Sequence, residues 1–201
     1  MQCMPQPKAQ GGSMPADVVE LIKSDHREVE RLFDLLQKHP ATRGLNFPVV
    51  SALLIAHSRA EESEVYPVAK DEAGQTEEVA HSQGEHAEAE HMLEKMAAMD
   101  PESAEFDTAL EELIKAVSHH VEEEESKVLP GIRQRLSDAR RAELGEAFVT
   151  ARTEHLGERP GQATREELRQ AARNAGLTGT SNSSKEEIKA ELLEHAEESG
   201  E

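Results

Sequence analysis

The sequence predicts an all-α protein: an up-down-up-down four-helix bundle, a short fifth helix and a small C-terminal two-helix appendage. Three observations carry that expectation. Aromatic residues make up 2% of the 201 residues, with no Trp and one Tyr, whereas strands draw on aromatic and β-branched side chains. Long stretches rich in Ala, Glu, Leu, Lys and Arg place apolar residues at three- and four-residue steps. Brief Pro- and Gly-containing breaks separate these stretches and are short enough to join antiparallel neighbours.

Residues 1–15, with Pro5, Pro7, Gly11 and Gly12, read as a disordered leader ahead of a bundle over 16–157. The first helix begins near Asp17, carries Val18, Ile22, His26, Val29, Phe33 and Leu36 on one stripe, and stops before Pro40 and Gly44. The second spans 47–70, with Val50, Leu53, His57, Glu61 and Val65 on one face, and Gly74 breaks it. The third spans 76–99 and aligns Val79, His86, Leu93 and Met96. The fourth starts near Ser103 and carries Phe106, Leu110, Leu113, Val117, His120 and Glu124; Pro130-Gly131 bends or ends it. A shorter helix covers 137–156, a linker 158–163, and a small helical module 164–201, with helices at 165–175 and 185–196.

The net charge of -19 opposes general binding to nucleic acid or anionic membranes, which needs a cationic face. No stretch approaches the ~20 apolar residues of a membrane helix, and no apolar run of signal-peptide length opens the chain. The one cysteine, Cys3, allows no internal disulfide and no Cys-rich zinc site, which fits the cytoplasm.

An internal repeat organises the histidines. Residues 57–67 read HSRAEESEVYP and residues 120–130 read HVEEEESKVLP, sharing His, Glu-Glu, Ser, Val and Pro in step. More weakly, DHREVERLF at 25–33 matches EHAEAEHML at 85–93. The bundle is therefore two helical hairpins, each with one His on its first helix and a His-x-x-x-Glu on its second.

His and Glu at i and i+4 lie one turn apart on one helix face and can reach the same ion. His57/Glu61 and His120/Glu124 have this spacing and fall on the apolar stripe. A buried, unpaired carboxylate is unfavourable, so two such Glu and four inward His require a partner, and a metal cluster supplies one. Imidazole plus carboxylate suits iron, zinc or manganese. One ion takes His26 and His57, the other His86 and His120, and Glu61 and Glu124 bridge them. Open positions then remain for an oxo or hydroxo bridge, water, O₂ or peroxide.

The order H…HxxxE…H…HxxxE on four helices, with the repeated EExxVxP tails, resembles the hemerythrin-like HHE cation-binding family over about residues 17–135. The resemblance implies two non-haem iron ions, oxo- or hydroxo-bridged, and roles in binding or sensing O₂ or iron, or responding to peroxide or nitric oxide. Oxygen-carrying hemerythrins add a fifth His four residues before the third-helix His; here that position is Ser82, and His81 and His91 lie five residues from His86. This departure moves the expectation from reversible O₂ carriage towards sensing or reaction with O₂, peroxide or nitric oxide. An enzyme with catalase-like, ferroxidase or nitric oxide reductase activity is the alternative, and a metal-free structural bundle the third.

Several residues take lesser roles. Asp25 and Glu85 precede equivalent His residues and are candidates to hold ligands in place. Glu62 and Glu125 sit about 100° round from the ligands and read as solvated. Tyr66 reads as packing, His119/Glu123 as the competing register, and His39, His155 and His195 as surface residues. The C-terminal segment from Thr164 resembles Rho N-terminal or SAP-like modules. Its turn, Gly-Thr-Ser-Asn at 179–182, lacks Arg and Lys, and the segment has five Arg/Lys against nine Glu. A helical appendage that packs on the bundle or mediates protein contacts, not nucleic-acid binding, is expected of it.

Overall fold

The computed structural model describes residues 16–199, so the expected leader over 1–15 and Cys3 lie outside the described residues. Helix α1, Val18–Lys38, is capped by Asp17, whose side chain accepts from the Val19 N–H at 2.9 Å. A 3₁₀ turn, Pro40–Thr42, leads directly into α2, Arg43–Ala60. This start precedes the expected one at 47 because Arg43 anchors it. Its buried guanidinium donates to the Leu36 carbonyl at 2.8 Å and to Asp107 at 2.5 Å. A π-helical turn, Glu61–Val65, connects α2 to α3, Tyr66–Asp71.

The second hairpin is α4, Thr76–Met96, and α5, Ala104–Glu123, the latter capped by Ser103. A second π-helical turn, Glu124–Val128, leads to α6, Leu129–Arg135. The helix therefore runs on through Pro130 after one widened turn, rather than ending there. Helix α7, Asp138–His155, packs on α1 and α2. At 18 residues it is shorter than α1, α4 and α5 and lies within the expected 137–156. Helices α8, Arg165–Asn174, and α9, Lys185–Ser199, complete the all-helical fold among the described residues.

Two apolar clusters sandwich the polar centre. One gathers Val18, Ile22, Val65, Tyr66, Val128, Leu129 and Phe148; the other gathers Val29, Phe33, Leu54, Leu93, Leu113 and Val117. His26 falls between Ile22 and Val29, and His120 between Val117 and Val128, so each sits where the two clusters meet. A third cluster, with Leu168, Ala172, Ile188 and Leu192, joins α8 and α9 and packs against Ala87 of α4. Gly84 permits that approach: a Cβ there would stand 3.1 Å from the Ala196 Cα. No helix among the described residues is long and apolar enough to cross a membrane.

Candidate metal centre

Both His-x-x-x-Glu pairs end on a π-helical turn. The Tyr66 N–H donates to the Glu61 carbonyl and the Leu129 N–H to that of Glu124, each five residues back. Proline explains the widening. Pro67 and Pro130 have no N–H and their rings crowd the carbonyl four residues earlier, which one wider turn relieves. The shared tail of the repeat thus shapes the backbone exactly where the two carboxylates enter the core.

The structure brings all six expected residues together at the centre of the bundle, and all six are buried. Donor atoms of His26, His57, Glu61 and Glu124 form one close group, and those of Glu61, His86 and His120 another. Glu61 belongs to both, with Oε2 at 3.2 Å from His57 Nε2 and 3.4 Å from His86 Nε2. Glu124 joins the first group only, 3.2 Å from His26 Nε2. In the second group His86 Nε2 lies 3.2 Å from His120 Nε2 and 3.1 Å from the Tyr66 hydroxyl.

Each imidazole presents Nε2 inward because a carboxylate holds its Nδ1. His26 Nδ1 is 3.0 Å from Glu125, His57 Nδ1 3.3 Å from Asp25, His86 Nδ1 3.3 Å from Glu62, and His120 Nδ1 2.9 Å from Glu85. The arrangement obeys the repeat. Asp25 and Glu85, one before His26 and His86, each back the second His of their own hairpin. Glu62 and Glu125, one after Glu61 and Glu124, each back the first His of the other hairpin. A carboxylate behind Nδ1 fixes the tautomer that leaves Nε2 free to ligate.

Charge is concentrated here. Burial opposes protonation of His57, but the Glu61 carboxylate together with Asp25 outweighs it and raises the group to about 10. Burial likewise opposes His86, while hydrogen bonds and charge from Glu61 and Glu62 raise it to about 9. Burial would push Glu61 up, yet the neighbouring His57 and His86 hold it well below the usual carboxylate range. Tyr66 is pushed well above the ordinary phenol value by burial and by the Glu61 and Glu124 charges, so it stays a neutral O–H.

The donor set fits a metal. Both carboxylate oxygens of Glu61 and of Glu124, and Nε2 of His26 and His57, are buried and make no aligned hydrogen bond, although the imidazole nitrogens stand 3.2–3.4 Å from the carboxylates. Unsatisfied polar groups of this kind are unfavourable in a core, and a cation is what all of them can share.

Asp25 and Glu85 take the positions expected of them. Glu62 does not: it is buried, not solvated, and pairs with Arg59 at 3.0 Å. The helical wheel missed this because the covering groups come from α4 and from the C-terminal module. Glu125 is half-buried against His26. Tyr66 is fully buried with its hydroxyl at the second group, a role beyond packing. Its one sequence signal was occupying the slot of Leu129 in the repeat. Ser82 is buried where a fifth His would stand; His81 pairs instead with Glu123 at 2.9 Å near the surface.

Fold and site together define an all-helical bundle with buried His/Glu clusters able to bind metal. The chain belongs to the hemerythrin family: the hemerythrin HHE cation binding domain matches residues 17–132. A Nostoc protein named as a DNA nickase is 30% identical over 152 residues, spanning 74% of this chain and 42% of that one. An uncharacterised hemerythrin-like protein of Schizosaccharomyces pombe is 28% identical over 137 residues, spanning 65% of this chain and 66% of its own length. The chain thus covers less than two thirds of either relative. No solved structure matches.

Proposed function

We propose that the chain holds two non-haem iron ions on His26, His57, Glu61, His86, His120 and Glu124, and binds, senses or reacts with O₂, peroxide or nitric oxide. The observation that carries this is the set of buried, unpartnered donor atoms on Glu61, Glu124, His26 and His57. Iron held there supplies the redox chemistry these small molecules require.

The protein's own groups favour such ligands. A small cavity of about 30 Å³ borders His26, His57, His86 and His120 and is walled by Val29, Leu54, Ile55, Leu93 and Val117. That volume admits a molecule of roughly water size. The Tyr66 hydroxyl, outside the lining of this cavity, is 3.1 Å from His86 Nε2. With one cysteine in the sequence and no internal disulfide, the chain suits the reducing cytoplasm. DNA nicking is not carried over from the Nostoc relative, because a net charge of -19 opposes phosphate contact.

The test is metal quantification and an optical spectrum on protein from iron-replete cells, followed by peroxide. Two irons per chain with visible oxidised-iron absorption are expected. A folded, metal-free preparation would overturn the proposal. Steady O₂ release, abolished in folded His57→Ala and His120→Ala, identifies an enzyme; a spectral change complete after one equivalent identifies a sensor or binder.

A further inference from the structure

Beyond the unequal sharing of Glu61 and Glu124, the supports behind the imidazoles also differ, and there the C-terminal module is the reason. Glu62 and Glu125 hold the same repeat position, each behind one imidazole. Glu125 is held by Arg27 and Lys23, side chains 56% and 37% exposed. Glu62 is enclosed: Gln83 Nε2 donates to its Oε1 at 2.9 Å and Arg59 to its Oε2 at 3.0 Å. Gln83 is itself held, its Oε1 accepting from Asn174 Nδ2 at 3.0 Å.

Asn174 is the last residue of α8 and only 2% exposed. Its amide also donates to the backbone carbonyl of Glu62 at 2.9 Å. That carbonyl stands five residues before Pro67, which has no N–H to give it within the π turn, so Asn174 supplies the donor that proline removes. The Lys70 ammonium donates to the Asn174 carbonyl at 3.0 Å, fixing the end of α8. The module therefore enters the hydrogen-bond network of the centre through one buried side chain.

We propose that Asn174 is a positioning residue for the centre: through Gln83 and Glu62 it fixes the His86 imidazole, so that the C-terminal module makes the two metal positions inequivalent. This rests on the metal reading above. A carboxylate tied by several donors cannot rotate, and the imidazole it backs keeps its Nε2 on the ion. The His86 imidazole is held firmly by its buried support, whereas the His26 imidazole is backed by a carboxylate at the surface, and the ion it serves is expected to leave first.

The full-length chain, loaded anaerobically with iron(II), is challenged with excess iron(II) chelator and metal loss is followed in time. Two phases of equal amplitude are expected. Asn174→Ala speeds the slow phase about tenfold, the lower end of what losing support behind a metal-bound imidazole does, and leaves the fast phase alone. Glu125→Gln speeds only the fast phase. Gln83→Met cuts the same link from the bundle side without touching the module's core and must speed the same phase as Asn174→Ala, with far-UV circular dichroism confirming the fold of each. A single phase in the wild type, an unchanged slow phase in the folded variants, or equal acceleration of both phases overturns the proposal. A wild-type chain that takes up no iron overturns the metal reading as well, which separates the two failures.

Discussion

Around His86, the supporting Glu62 side chain is 5% exposed and pairs with an Arg59 that is also 5% exposed. Around His26, the equivalent Glu125 is 22% exposed and pairs with Arg27 at 56%. The two hairpins repeat the same residues at the same spacing, yet one support sits in a low-dielectric interior and the other at the solvent edge. The motif decides which groups meet. Burial decides how much each meeting is worth, because a charge removed from water depends on its partner far more than a hydrated one does.

Glu61 and Glu124 offer the widest contrast, since Glu61 lies in both donor groups and Glu124 in one. Glu61→Ala is expected to abolish iron binding, whereas Glu124→Ala retains one ion per chain, by metal analysis of purified protein. Equal loss in both variants would mean that the two carboxylates bridge equally.

Glu62→Ala comes next. It leaves Arg59 to Glu90 at 2.6 Å and deprives the buried Gln83 amide of its acceptor, and should destabilise the metal-free chain by about 2 kcal/mol. Glu125→Ala leaves hydrated partners and should change stability by about 0–1 kcal/mol. Urea melts of the two variants at pH 7 measure the difference, and matching midpoints would erase the distinction between the halves.

Protons test the centre as a unit. His57 is raised to about 10 and His86 to about 9 in the metal-free chain, against about 6.5 when unfolded. Raised histidines stabilise the fold fully below pH ~6.5, and that stability is lost as pH rises through about 9 to 10. Thermal melts of metal-free protein should therefore fall across this window. Metal needs neutral imidazole, so iron uptake at pH 7 should release protons, visible as a buffer-dependent heat in calorimetry. Uptake without proton release would place the ligands elsewhere. The smallest effect belongs to His81→Ala, which should leave iron content unchanged because His81 pairs with Glu123 at the surface. Loss of an ion would make His81 a ligand despite its place off the stripe of His86.

The helices around the centre were legible because apolar periodicity and Pro/Gly breaks are local signals, and the six inward donors because the repeat places them on the same stripes as Val29, Leu113 and Val117. The continuation past Pro130 was not, since a π turn depends on hydrogen bonds that no propensity encodes. Tyr66 looked like packing because its neighbour across the bundle, His86, lies 20 residues away in sequence. Asn174 and Gln83 carried no signal at all.

By itself, then, the sequence determined the helical class, the duplicated hairpin and the identity of the buried donors, since all three follow from residue type and spacing along one helix. Only the tertiary structure decided which carboxylate backs which imidazole, and that Glu62 is buried while Glu125 reaches solvent. The physical reason is that burial and electrostatic partnership are set by what packs across from a side chain, and for Glu62 that is Asn174, 112 residues further along the chain.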